Sequence, residues 1–216
     1  MARQGESNVY PEHAARKVFI NPLHAPNCLS FTYPSTESTK LEQFKVTLSK
    51  KNDEIHLEWD ENSDNPGDLK PELERDALQR FQERFDWIDR ANSLMATVSA
   101  WSQEIGWATK LLHKKLDDSY IGQHIVCALL IQEGLDRVMF EPIGRSSAEV
   151  KGIVDLYLLP AYDDIARLLF IDGRWTISIQ FQDDALDLNE NPEPAPFPLS
   201  KDSLEKVLNG LKVHAR

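Results

Sequence analysis

Five β-rich runs crowd into positions 124–181 of this 216-residue chain, and the short gaps between them limit what it can fold into. The runs are HIVCALLIQ (124–132), RVMFEPI (137–143), GIVDLYLL (152–159), ARLLFI (166–171) and RWTISIQF (174–181). A parallel crossover needs a dozen or more residues, usually including a helix, and no separator here is that long. The sheet is therefore expected to be an antiparallel meander. Asp172-Gly173 stands between two of the runs as the strongest hairpin signal in the chain, because a two-residue turn of this type needs positive φ at both positions. The 124–132 and 152–159 runs are nearly continuous in apolar residues, which predicts cover on both faces, with helices as the natural cover.

Upstream, FKVTL and IHLEW alternate apolar and polar around the turn KKND. They read as a hairpin with Phe44, Val46 and Leu48 on one face and Ile55, Leu57 and Trp59 on one face. DENSDNPGD (60–68) is a loop. A helix is expected from Pro71, which is tolerated in a first turn, with Glu72, Glu74 and Asp76 at its positive end. An apolar stripe continues through Leu94, Val98, Trp101, Ile105, Ala108 and Leu112, and Lys110, His113, Lys114 and Lys115 suit a helix C-terminus. A single helix over 71–115 would run about 65 Å, long for a compact domain. Asn92-Ser93 supplies cap-type residues, so two helices meeting near 91–93 are expected.

The fold class is then α+β: two antiparallel helices packed on a mainly antiparallel meander sheet. Residues 1–40, with four of the twelve prolines, read as an extended arm, although VFI (18–20) and LSFTY (29–33) have strand character. Residues 41–182 form the α+β domain, and 183–199 form an acidic, proline-rich linker. Residues 200–216 form an amphipathic helix with a stripe of Leu204, Val207, Leu208 and Leu211, and with Asp202 and Glu205 placed like a capping box.

Net charge is −11, and residues 51–100 alone hold thirteen acidic against six basic groups. Nucleic-acid binders draw most of their affinity from basic patches on phosphate, and here Arg16-Lys17, Lys50-Lys51 and Lys114-Lys115 are only pairs. Nucleic acid is not an expected partner, and an acidic surface suits basic proteins better. No run approaches the roughly 18 apolar residues of a membrane span, and the N-terminus has no apolar signal segment. Cys28 and Cys127, about a hundred residues apart, fit a reducing cytoplasm, with Cys127 expected in the core.

P-loop, dinucleotide, nucleophile-elbow and HExxH motifs are absent. The most suggestive chemistry is Glu104 on a helix with Glu141 in RVMFEPI and Asp155 in GIVDLYL, since an acid inside an apolar strand must be exposed, paired or metal-bound. Asp163 and Asp164, with Asp155 upstream, form a second acidic corner that oxygen-seeking cations such as calcium or magnesium could use; its plainer reading is a solvated turn. His24 and Cys28 have an i, i+4 spacing, with His13 upstream, but too few partners follow for structural zinc. His124 reads as a hydrogen-bonded histidine at the edge of the core. Trp87, Trp101 and Trp107 cannot all share one helix face, so at least one is expected to point away from the core.

The order helix–strand–strand around GIVDLYL resembles the PD-(D/E)xK nuclease core over residues from about 100 to 180. That resemblance implies magnesium or manganese held by Glu104, Glu141 and Asp155, which would activate water. The acid-x-lysine of that family is missing from the next strand, where Asp172-Gly173-Arg174 reads as a turn. Helices followed by a meander ending in DGRW also resemble the cone-shaped nuclear-transport-factor-2-like superfamily. That resemblance implies a fold and no activity. The expected function is a non-catalytic protein-interaction or regulatory module, without cofactor, that self-associates or meets a partner through the helix pair and the C-terminal helix. The alternative is a metal-dependent hydrolase or nuclease on the three acids.

Overall fold

A computed structural model describes residues 28–34, 43–51, 54–60, 67–145, 149–160, 163–179 and 196–214. The chain falls into two compact units, one within Met1–Arg84 and Asp117–Gln123, the other within Phe85–Leu116 and His124–Arg216.

The first unit holds a three-stranded antiparallel sheet of β1 (Cys28–Pro34), β2 (Gln43–Lys51) and β3 (Glu54–Trp59), in that order. The expected hairpin is β2–β3, with Val46 opposite Trp59 and Leu48 opposite Leu57, so their side chains share a face. Val46 and Leu48 are buried there and Ile55 is exposed. The side chain of Phe44 lies outside the described residues. Of the segment read as an arm, residues 28–34 form β1, whose Phe31 is opposite Val46 and fully buried. The remainder, including VFI (18–20), His13 and His24, lies outside the described residues.

After a 3-10 turn at Gly67–Leu69, helix α1 runs unbroken from Lys70 to Glu104, about 52 Å at 1.5 Å per residue. Its N-terminal half supplies buried Ala77 and Phe81 to the first unit. Arg80 is 4% exposed and kept satisfied: it donates to Asp76 at 2.7 Å and to the Tyr120 carbonyl at 3.4 Å, over the Tyr120 ring at 4.4 Å. Trp59 Nε1 donates to Glu74 at 2.8 Å.

The expected break at 91–93 does not occur, and among the described residues there is no antiparallel helix pair. Asn92 lies mid-helix, where its Oδ1 accepts the Cys127 N–H at 2.8 Å. The helix ends at Gly106, whose φ of +91° closes a Schellman cap: Gly106 N donates to Gln103 O at 3.1 Å and Trp107 N to Ser102 O at 2.9 Å. The stretch expected as the second helix's end is instead strand β4 (Ala108–Asp118). Ala108, Leu112 and the Lys110–Lys115 group therefore belong to a sheet, where lysines on an outermost strand discourage pairing with other chains.

The large sheet continues with β5 (Gly122–Glu133), β6 (Asp136–Gly144), β7 (Ile153–Leu159), β8 (Asp163–Ile171), β9 (Arg174–Ile179) and β10 (Phe197–Pro198). Strand order is sequential from β10 back to β4, and the pairs from β5–β6 through β9–β10 are antiparallel. This is the expected meander. The β8–β9 turn is Asp172-Gly173 at φ of 50° and 77°, the conformation for which that dipeptide is chosen. Phe197 and Pro198, read in sequence as the end of a linker, pair with Ile177 and Thr176.

Helix α2 (Lys201–His214) begins with a reciprocal box made by Ser200 and Ser203 rather than Asp202 and Glu205. Ser203 N donates to Ser200 Oγ at 3.1 Å, and Ser200 N to Ser203 Oγ at 2.7 Å. Leu204, Val207 and Leu208 join Leu94, Met95 and Val98 of α1 in one core with Val138, Phe140, Val154, Leu156 and Leu168 of the sheet. Those strand residues alternate and face each other in register, so both helices cover one face. Cover on both faces, with helices supplying it, was expected for 124–132 and 152–159; the described helices lie on one face, and the other carries Met139, Glu141, Asp155, Tyr157 and Arg167. No described helix is long and apolar enough to cross a membrane.

Candidate functional site

The three candidate acids each meet a base. Asp155, in the middle of β7 and 5% exposed, receives Arg167 Nε at 2.6 Å and Nη2 at 3.0 Å, with the Tyr157 hydroxyl at 3.2 Å. Glu141 lies directly opposite Asp155 in the β6–β7 register and pairs with Lys114 at 2.8 Å. The same ammonium donates to the Pro142 carbonyl at 3.1 Å. Glu104, at the end of α1, pairs instead with Lys201 of α2 at 2.6 Å. Hydrogen bonding to Glu104 raises the Lys201 pKa above its ordinary value. Two of the acids are thus neighbours on one sheet face, and the third is tied to α2.

Among the described residues, no three or more His, Cys, Asp or Glu side chains gather as a metal-binding group. Asp163 and Asp164 open β8, opposite Leu158 and Tyr157, and their side chains lie outside the described residues, as does that of Cys28. Cys127 is half-buried against the core. His124 is buried and accepts the Trp87 Nε1 hydrogen at 2.9 Å, which requires its Nε2 to be unprotonated.

A cleft of about 530 Å³ lies in the second unit between α1 and the β8–β9 hairpin. This lies within the usual range for ligand sites. Its helical wall is one face of α1, where Asp86, Arg90, Leu94, Thr97 and Trp101 follow at spacings of three and four with Asp89 and Ser93 beside them. Phe170, Arg174 and Trp175 of the hairpin line the other side, and Pro198 and Leu199 close one margin. Leu199 is held there by its N–H on the Trp175 carbonyl at 2.9 Å. Of the three helical-region tryptophans, Trp87 and Trp107 are buried, whereas Trp101 is half-buried and lines this cleft.

Arg90 is built into the wall. It donates to the Lys151 carbonyl at 2.9 Å and lies 4.3 Å over the Phe170 ring, a cation–π contact. Burial pushes its pKa down, opposed by the nearby charges of Asp86 and Asp89. The Phe170 and Trp175 rings meet edge to face with centroids 5.3 Å apart. Gly152 makes this packing possible, because a Cβ there would sit 2.9 Å from Trp175 and 3.0 Å from Trp87. Gly152→Ala is expected to destabilise the protein by about 1–3 kcal/mol through overpacking. Urea denaturation checks this, and an unchanged midpoint would show that the two indoles have room to shift.

The chain therefore belongs to the α+β class: its described residues form a sequential antiparallel sheet with two helices on one face and an aromatic cleft carrying charges of both signs. Compared with protein-family models, with curated proteins and with solved structures, it shows no significant match.

Proposed function

We propose that this chain is a non-catalytic protein-interaction or regulatory module whose partner docks in the cleft between α1 and the β8–β9 hairpin. The observation that carries this reading is the lining of that cleft, where Trp101, Phe170 and Trp175 stand among ionic groups. Aromatic residues within a polar rim are what partner-binding hot spots are made of. The paired state of Glu104, Glu141 and Asp155 supports it, since each acid already has its counter-ion within the chain. Leu204, Val207 and Leu208 of the α2 stripe pack in the core with the sheet, and the side chain of Leu211 lies outside the described residues, so the partner surface is assigned to the cleft and not to that stripe. Net charge of −11 and two widely spaced cysteines suit a cytoplasmic protein with basic partners, or one that self-associates, rather than a nucleic-acid binder.

The competing metal-dependent hydrolase is tested by thermal unfolding with magnesium, manganese and calcium, on the protein and on Asp155→Ala. A metal at 100 times its dissociation constant would stabilise by about 2.7 kcal/mol, a rise of several degrees. No rise is expected. A rise that disappears in Asp155→Ala would move the function to metal-assisted hydrolysis on the acid pair.

A further inference from the structure

The two walls of the cleft each carry a charged side chain that, among the described residues, has no hydrogen bond or ion pair, although Asp89 acts on Arg90 through its charge. Asp89 on α1 is exposed and, among the described residues, makes no hydrogen bond or ion pair through its side chain. Arg174, the first residue of β9, is exposed in the same way on the other wall. Arg90 differs from both: the Lys151 carbonyl and the Phe170 ring already occupy its guanidinium. Trp101, Trp175 and Leu199 line the same cleft and carry no charge of their own.

A ligand that satisfies all of this carries apolar surface together with a cation for the α1 wall and an anion for the hairpin wall. Resting on the docking role proposed above, we infer that the cleft takes a short peptide segment of another protein. A basic residue of that segment meets Asp89, an apolar or aromatic side chain lies against Trp101 and Trp175, and an acidic residue meets Arg174. A purely anionic polymer would set like charge against Asp86 and Asp89 and against a chain of net charge −11. The segment does not add a strand to the sheet at β10, because Pro198 has no N–H to offer at that margin. Recognition therefore falls to side chains, and the opposed charges set the direction in which the segment lies.

The test pans a displayed random heptapeptide library on the full-length protein and on two variants, Asp89→Lys and Arg174→Glu, with thermal unfolding to check that each folds as the parent does. Peptides selected by the parent are expected to place Lys or Arg and Asp or Glu on opposite sides of a large apolar residue. A synthetic peptide of that pattern should lose roughly tenfold in affinity for either variant. It should recover with Asp89→Lys only when its basic residue is made acidic, and with Arg174→Glu only when its acidic residue is made basic. The indole N–H resonances of Trp101 and Trp175 report where the peptide sits. If selected peptides shift those two resonances yet carry no charge pattern, or bind both variants as they bind the parent, the charge-directed inference is overturned and the cleft remains the docking site. If no peptide is enriched on the parent, or enriched peptides leave both indoles unmoved, the cleft itself is wrong.

Discussion

Arg167→Met is expected to destabilise the protein by about 2–4 kcal/mol, whereas Arg167→Met combined with Asp155→Leu should recover most of that loss. The asymmetry comes from burial. Asp155 is almost completely enclosed, and its carboxylate depends on the two nitrogens of Arg167 at 2.6 and 3.0 Å. Without the guanidinium, only the Tyr157 hydroxyl at 3.2 Å remains among these contacts to hold a negative charge away from water. Breaking a fully buried pair in this way costs about 3–5 kcal/mol. The Arg167 side chain is 40% exposed, so water can follow it into the site, which places the cost toward the low end. Removing both partners leaves apolar side chains on a sheet face and no stranded charge, and such replacements are often close to neutral. Asp155→Asn alone should cost less than Arg167→Met, because the half-exposed guanidinium can turn to solvent. Urea denaturation of the two singles and the double gives the coupling directly. Equal losses from all three variants would mean that Arg167 stabilises through packing and that Asp155 has no need of it.

The sheet was legible because its signals are local. Asp172-Gly173 specifies a two-residue hairpin whatever surrounds it, and connections too short for crossovers leave a meander as the simplest path. The alternation in 44–48 and 55–59 likewise placed Val46, Leu48, Leu57 and Trp59 on a shared face. The segment 108–118 was misread because two periodicities coincide in it. Trp101, Ile105, Ala108 and Leu112 continue a helical stripe, while Leu112, Lys114 and Leu116 alternate as a strand does, and all three are half-buried in β4. Gly106 decides between the two readings through a positive φ that no stripe reveals. Asn92 looked like a cap because caps and tertiary acceptors draw on the same residue type; only the approach of Cys127 shows which role it has. The cleft was almost illegible. It joins residues 86–101 to 170–175 and 198–199, and proximity across such separations is a product of the fold. Its one available trace was the mismatch of tryptophan faces, which pointed to Trp101 among others.

Leu208→Asp should remove most of the stability of the second unit, at a cost above about 4 kcal/mol. Leu208 has no exposed surface and belongs to the core that α2 shares with α1 and the sheet. Truncating a leucine in such a place costs about 2–5 kcal/mol through lost burial and the cavity left behind. An aspartate adds the desolvation of a carboxylate that has no base beside it in that cluster. Since domains of this kind rest on about 5–15 kcal/mol in total, the variant is expected to lose its near-ultraviolet dichroism and the hydrogen-exchange protection of β7–β9. Glu205→Lys, on the exposed side of the same helix, provides the control and should leave both signals in place. The comparison also decides what α2 is for. An amphipathic helix behind a proline-rich segment can serve as a detachable docking element or as part of the fold, and its sequence is the same in either case. If Leu208→Asp left dichroism and protection intact and impaired only self-association, the stripe of Leu204, Val207 and Leu208 would be an interface in solution. Collapse of both signals would make α2 a wall of the core and leave the cleft beside Pro198 and Leu199 as the surface on which a partner has to be sought.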